Sequence, residues 1–306
     1  MNRIITTITI ILIFLASLII YLRFDDISAF INDYFIKDYT VILPKENEYK
    51  RDYKYEKFNN NKNFVPYFKE DLEKIFYNFL NNGYSSITFY CPVEYTSCKE
   101  DITVLMENKV LMSKINNYVN PFNSFYYLNI IFENNGSVTL TKDSLYTQDE
   151  INKVNERLDY IFNELKINEL NTLEALNKIK DYMIENISYD SVYAETLGEE
   201  IVNEINSPTK ASGALLLGKA VCSGYSDTFA LILDRMNIPN LKISSDEHVW
   251  NLLFINNKWL HADITWSDTD NSVNLENKYF LITTEELKNL DKKEHNFDTM
   301  FFTEAK

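Results

Sequence analysis

Apolar positions along this chain follow an unbroken run first, then helical faces, then strands and helices in alternation. Residues 4–22 are Ile, Leu and Phe with a few Thr, Ser, Ala and Tyr and no charge, bracketed by Arg3 and Arg23. Such a run is long enough to cross a bilayer and longer than the apolar region of a cleaved signal. It continues past Ala16-Ser17, and neither a small-x-small site nor a lipid-accepting Cys follows it. An uncleaved signal anchor over 1–23 is the expectation, with a cleaved signal and a secreted product as the alternative. Arg3 and the amino terminus point inward, which leaves the bulk of the chain outside the cytoplasm.

Residues 24–68 have no clear period. Residues 45–62 are rich in Lys, Tyr, Glu and Asn and read as a stalk, with a short juxtamembrane helix over 30–36. Periodicity then begins. Leu72, Ile75, Phe76, Phe79 and Leu80 share a helical face closed by Asn82-Gly83, and residues 86–91 alternate as a strand. Residues 125–132 and 137–141 flank Asn135-Gly136, a strong hairpin signal. Thr147 and Glu150 form a capping box ahead of Ile151, Val154, Leu158, Ile161, Phe162 and Leu165. A further helical face, Leu173, Leu176, Ile179 and Met183, leads to 186–190, and an acidic surface loop or short helix covers 195–204. The last elements are a strand over 278–283 and a short helix over 284–290. These patterns predict an α+β chain with a small α+β unit at 69–168 and a second unit at 169–306.

The second unit carries the candidate chemistry. Leu215, Leu216 and Leu217 are closed by Gly218, and Cys222 then opens a helix whose face is Tyr225, Phe229, Ile232, Leu233 and Met236, with Pro239 beyond its end. A Cys in the first turn meets the unpaired N–H groups and positive end of the macrodipole, which favour a thiolate. Residues 247–254 alternate with His248, Trp250, Leu252 and Phe254 on one face; Asn256-Asn257 makes a two-residue turn, and 258–264 returns. Pairing of Ile255 with Lys258 puts Trp250 opposite Asp263. Asp263 is then diagonal to His248 on the same face, with Cα atoms about 7–8 Å apart; a three-residue loop would flip it away. Cys, His and Asp are the residue types of a nucleophile, the base that takes and returns its proton, and the acid that orients that base. His261 shares the face but sits further from His248 and reads as structural, and His295 in the acidic tail has no evident partner.

The stretches GKAVCSGYSDTFALIL (218–233) and HVWNLLFINNKWLHADITW (248–266) resemble the transglutaminase-like superfamily, in particular its bacterial membrane-associated members. The resemblance covers 173–281. It implies a papain-like core in which the Cys helix packs on an antiparallel sheet carrying His and Asp. It makes Cys222, His248 and Asp263 the triad and places Gly224, Tyr225, Trp250, Asn251, Thr265 and Trp266 at supporting positions. The Gln that papain-type enzymes place shortly before the Cys is missing from 211–221. The backbone N–H of Cys222 is one oxyanion donor; Tyr189 and Trp266 are candidates for the second, or else core aromatics.

Charge and composition narrow the partners. The chain of 306 residues carries a net charge of −15, and segment 1–23 has two Arg and no acid, so the remainder bears −17. A field of that sign excludes general nucleic-acid binding. Outside the cytoplasm Cys91 and Cys98 can close a disulfide; in a reducing compartment they stay free thiols. No CxxC pair or HExxH is present, and Asp268, Asp270 and Asn271 lack the Gly and terminal Glu of an EF-hand, so no metal and no cofactor is expected. Together these features predict a membrane-anchored thiol enzyme, a hydrolase or acyltransferase, acting on amide bonds of cell-envelope proteins or peptides. The alternative is a non-catalytic scaffold in cell division or wall assembly.

Overall fold

The computed structural model describes residues 41–196, 204–268 and 278–306, besides three isolated positions (17, 21 and 23). Among these, no helix is long and apolar enough to cross a membrane. The expected anchor, apart from those positions, and the helix over 30–36 lie outside the described residues.

The elements form an α+β fold. The first part holds α1 (Lys69–Asn81), β1 (Ser86–Tyr90), α2 (Cys98–Glu107), α3 (Lys109–Asn116), β2 (Phe125–Phe132) and β3 (Ser137–Ser144). Its three strands pair antiparallel in the order β1-β3-β2. Next come α4 (Gln148–Glu164), α5 (Thr172–Asn186), β4 (Ser188–Tyr189), α6 (Ser191–Thr196), a π-helical turn (Gly213–Leu217) and β5 (Lys219–Ala220). Last are α7 (Cys222–Arg235), β6 (Asn240–Ser244), β7 (Val249–Ile255), β8 (Lys258–Ala262), α8 (Ile264–Ser267), β9 (Phe280–Ile282) and α9 (Thr284–Leu290). Strands β6-β7-β8-β9 make a four-stranded antiparallel sheet, and β4 pairs parallel with β5. The capping box of Thr147 and Glu150 starts α4 as expected, and two more, Asn171 with Glu174 and Thr283 with Glu286, start α5 and α9.

The alternation of β7 splits the core. Trp250 and Leu252, with Leu241 and Ile243 of β6, join one apolar cluster; Leu253, with Ala262 of β8, joins another that contains Tyr225, Phe229, Ile232 and Leu233 of α7. The first cluster also takes in α1, β1 and β3 of the first part and Phe297, Phe301 and Phe302 near the carboxyl end. A boundary near 168 therefore does not separate two cores. The first part closes one face of the sheet that bears the site.

Residues 41–68 correct the stalk expectation over their span. Tyr55, Phe58 and Phe64 are buried, and so is Arg51. Arg51 donates through Nε and Nη2 to Asp234, and Tyr55 Oη donates to the Asn240 carbonyl at 2.6 Å. This segment crosses the fold as irregular extended chain, so its buried side chains fall at no fixed period and its polar composition hides them. Helices α2 and α3 and strand β6 went unpredicted, and the strand expected over 278–283 is only three residues long.

Cys91 and Cys98 form a disulfide with Cα atoms 5.8 Å apart and a sequence separation of 7. Both are buried, in the same apolar cluster as Leu105 and Phe89. Loop closure over so short a span restricts the unfolded chain by about 2–2.5 kcal/mol. Replacing both with Ser should lower the free energy of unfolding by that amount in a urea titration; an unchanged midpoint would refute a stabilising role.

Candidate active site

Cys222 is the first residue of α7, and its thiol is free and partly exposed. As the first helical residue it has no intrahelical acceptor for its N–H. The close packing beneath it explains the two residues that follow the Ser. A Cβ on Gly224 would lie 2.3 Å from the Pro208 carbonyl oxygen, so only Gly lets the helix start approach segment 208–210. Tyr225 Oη bonds the Asp268 carboxylate and lies 3.0 Å from the Ile187 carbonyl oxygen, tying the helix to the residue after α8 and to the end of α5. Ser226 Oγ lies 2.7 Å from the Cys222 carbonyl and 2.9 Å from that of Val249, and Asn251 Nδ2 donates to the Ser226 carbonyl at 3.0 Å. The helix start is thereby fixed against β7, the strand that follows His248.

The hairpin has the register read from its pattern. Ile255 pairs with Lys258 and Asn251 with Ala262 around a turn in which Asn256 and Asn257 both have positive φ. Strand β8 ends one residue before Asp263, which instead caps α8, its Oδ1 accepting from the Trp266 N–H at 3.0 Å. His248 lies just ahead of β7, its N–H bonded to Ser245 Oγ at 3.1 Å. Its Nε2 is 2.6 Å from Asp263 Oδ2, and the Cys222 side chain is near enough to act electrostatically on its ring. Because Nε2 faces Asp263, Nδ1 is the ring nitrogen left for exchange with the thiol. Of the three side chains named from the sequence, His248 and Asp263 are bonded directly, and Cys222 lies nearby at the start of α7.

Electrostatics follow from burial and pairing. Burial opposes charge on His248, but the Asp263 carboxylate and the thiol outweigh it and raise its pKa to about 10. Burial also opposes charge on Asp263, yet the two imidazoles beside it, His248 first, hold it well below the usual carboxylate range. An imidazolium against the sulfur is the arrangement a thiolate nucleophile requires. His261 behaves oppositely. Burial, and then the neighbouring His295, push it down to about 3, so it is neutral. The indole of Trp250 donates to His261 Nδ1 at 3.0 Å, which leaves Nε2–H to donate to Thr284 Oγ1 at 2.9 Å. His261 is structural, as expected. Trp250 stacks on His248 at 5.7 Å and so walls the base.

Tyr189 is brought to the site by the β4–β5 pair, where it lies opposite Ala220, two residues before Cys222. Burial, then the nearby sulfur and Glu294, raise its pKa, so its hydroxyl stays protonated and can donate. Trp266 is placed differently: its ring packs at 5.2 Å from both Tyr279 and His295 and contributes its backbone N–H to Asp263.

Pattern reading missed His295. Its Nε2 is 2.8 Å from the same Asp263 Oδ2 that bonds His248. His248, Asp263 and His295 thus present three potential ligand atoms within 4.8 Å of one another. The 2.6 and 2.8 Å separations are hydrogen-bond lengths on one shared oxygen, whereas two ligands of one zinc ion stand about 3 Å or more apart. The cluster shares protons as it stands.

No family model and no curated protein matches this chain. Among solved structures it is similar to a transglutaminase (TGase), at 14% identity and a TM-score of 0.36, over 51% of this chain and 48% of that one. It is also similar to a Cytophaga hutchinsonii protein provisionally assigned as a cysteine protease, at 12% identity and a TM-score of 0.28, over 45% of this chain and 61% of that one. The matched part spans about half of the first of these and less than two thirds of the second.

Proposed function

We propose that this chain is a transglutaminase-like thiol enzyme that acts on amide bonds through an acyl-enzyme on Cys222. The observation that supports the reading is the imidazole of His248 held at 2.6 Å from the Asp263 carboxylate, beside the helix start that carries the free Cys222 thiol. In the first half-reaction the sulfur attacks the substrate carbonyl carbon, and the C–N bond breaks as His248 Nδ1–H protonates the departing amine. In the second, His248 takes a proton from water or from an amine, which attacks the thioester and expels the thiolate. Water gives hydrolysis; an amine gives transfer. The Cys222 N–H and the Tyr189 hydroxyl are the proposed donors to the oxyanion.

The site of action proposed is the cell envelope, on surface proteins or peptidoglycan peptides, with residues 1–23 as a membrane anchor. The uncharged run at 4–22 and the Cys91–Cys98 disulfide support an oxidising, extracytoplasmic compartment. The test is to incubate the purified chain and its Cys222→Ser variant with envelope extract and a labelled primary amine. Label incorporated only with Cys222 present indicates transfer, and new peptide termini indicate hydrolysis. The absence of both, with no thioester trapped, would sink the enzyme reading and favour a scaffold.

A further inference from the structure

Asp263 has more donors than a three-residue site requires. Its Oδ1 accepts from the Trp266 N–H at 3.0 Å, and its Oδ2 is shared by His248 Nε2 at 2.6 Å and His295 Nε2 at 2.8 Å. The carboxylate is 1% exposed, so bulk water does not stand in for a missing donor. We propose that His295 is a positioning residue of this site, pinning the Asp263 carboxylate onto His248 by a second hydrogen bond to the same oxygen. The inference rests on the triad reading and adds a fourth side chain to it, one supplied by the segment after α9.

The surroundings of His295 are built to aim it. Asp291 Oδ2 accepts from the main-chain N–H groups of Glu294 and His295 at 2.9 and 3.0 Å and from His295 Nδ1 at 2.8 Å, so one carboxylate folds the turn and orients the ring. The imidazole is stacked on Tyr279 at 5.4 Å and meets Trp250 edge-on at 4.9 Å and His248 at 5.2 Å. The charged and titratable groups around it are Asp263, Asp291, His248, His261 and Tyr279. Both its ring nitrogens face carboxylate oxygens, Nε2 that of Asp263 and Nδ1 that of Asp291.

The physical need is clear from the chemistry. His248 must exchange a proton with the thiol and with the leaving group while its Nε2 stays on the acid. With only the Trp266 N–H on Oδ1, the other oxygen could swing about the Cβ–Cγ bond. A second donor on Oδ2, rigidly packed, removes that freedom and keeps the acceptor aimed at His248. A ring that merely filled space would need no such bond, and Phe would serve as well.

The test uses the full chain and needs no substrate. Cys222 is the only free thiol, Cys91 and Cys98 being joined. Its alkylation by iodoacetamide is followed at about pH 6.5, below the ordinary thiol range, with a thermal melt for each variant. His248→Ala should slow alkylation; if it does not, the triad reading fails first, whatever residue 295 does. Given that control, His295→Phe should melt lower than the wild type yet stay folded at the assay temperature, and react about tenfold slower, the loss of one charge-assisted hydrogen bond. His295→Gln, whose amide can donate to Oδ2, should recover most of the rate. Wild-type reactivity in the Phe variant, or a Gln variant as slow as Phe, overturns the proposal. Should the Phe variant not fold, the wild-type proton spectrum decides. Two exchange-protected imidazole N–H signals on Asp263 are expected, lost singly in His248→Ala and His295→Gln, and a single signal overturns it.

Discussion

Asp263→Asn should slow acylation of Cys222 about 10⁴-fold while leaving the fold intact, the scale seen when the acid of such a triad becomes an amide. The amide has one oxygen where the carboxylate has two. If that oxygen accepts the Trp266 N–H, as Oδ1 does now at 3.0 Å, the NH₂ group faces the Nε2 atoms of both His248 and His295. Those nitrogens must then accept, which moves the His248 proton to Nδ1 and leaves nothing to take the proton of the thiol. The opposite flip sets the NH₂ against the Trp266 N–H, two donors face to face. Burst release of nitrophenolate from p-nitrophenyl acetate measures the acylation, and a melting curve checks the fold. Acylation within tenfold of wild type would mean that Asp263 does not set the tautomer of His248.

Arg51→Met should destabilise the protein by about 3–5 kcal/mol, because it removes one partner of a buried ion pair and strands the other. The Arg51 side chain is 2% exposed and that of Asp234 14%. Arg51 binds Asp234 through Nε and Nη2 and also donates to Asn240 Oδ1 at 2.9 Å. Asp234 keeps only neutral donors once the guanidinium is gone: Asn120 and Asn240, each at 2.8 Å, and the Tyr53 hydroxyl at 3.3 Å. Lys50→Ala is the control. Its pairs with Glu46 and Asp52 lie near the surface, so about 1 kcal/mol or less is at stake. A guanidinium titration with Arg51→Met no worse than Lys50→Ala would contradict the placing of residues 41–68 in the core.

The hairpin and the Cys222 helix repeat along the sequence, whereas the segments that carry Arg51 and His295 do not. The hairpin that brings Asp263 to His248 was legible because the register of a short loop follows from one pairing, Ile255 with Lys258, and period-2 alternation does the rest. The Cys222 helix was legible because its apolar face repeats at helical spacing. Arg51 was hidden, since irregular chain has no period and its carboxylate partner lies 183 residues away. His295 was hidden for the same reason: its contacts come from a turn folded by Asp291, followed by an aperiodic tail. One signal was available there. Phe297, Phe301 and Phe302 form an apolar group in an otherwise polar tail, and all three are buried. Such a group marks a segment that packs back on the core, bringing a neighbouring His with it.

The chain has only three histidines, and the structure gives each a different environment. A pH titration of their side-chain ¹⁵N shifts is therefore the most direct test of whether sulfur, imidazole and carboxylate act as one group. Burial opposes the charge on His248, but the carboxylate and the sulfur more than offset it, so its proton is held below about pH 10 and lost above. The expected result is a His248 signal of imidazolium type through the neutral range, titrating near about 10, beside a His261 signal that stays neutral down to about 3. A His248 that titrates near the ordinary value of about 6.5, unchanged by Asp263→Asn or Cys222→Ala, would contradict the site.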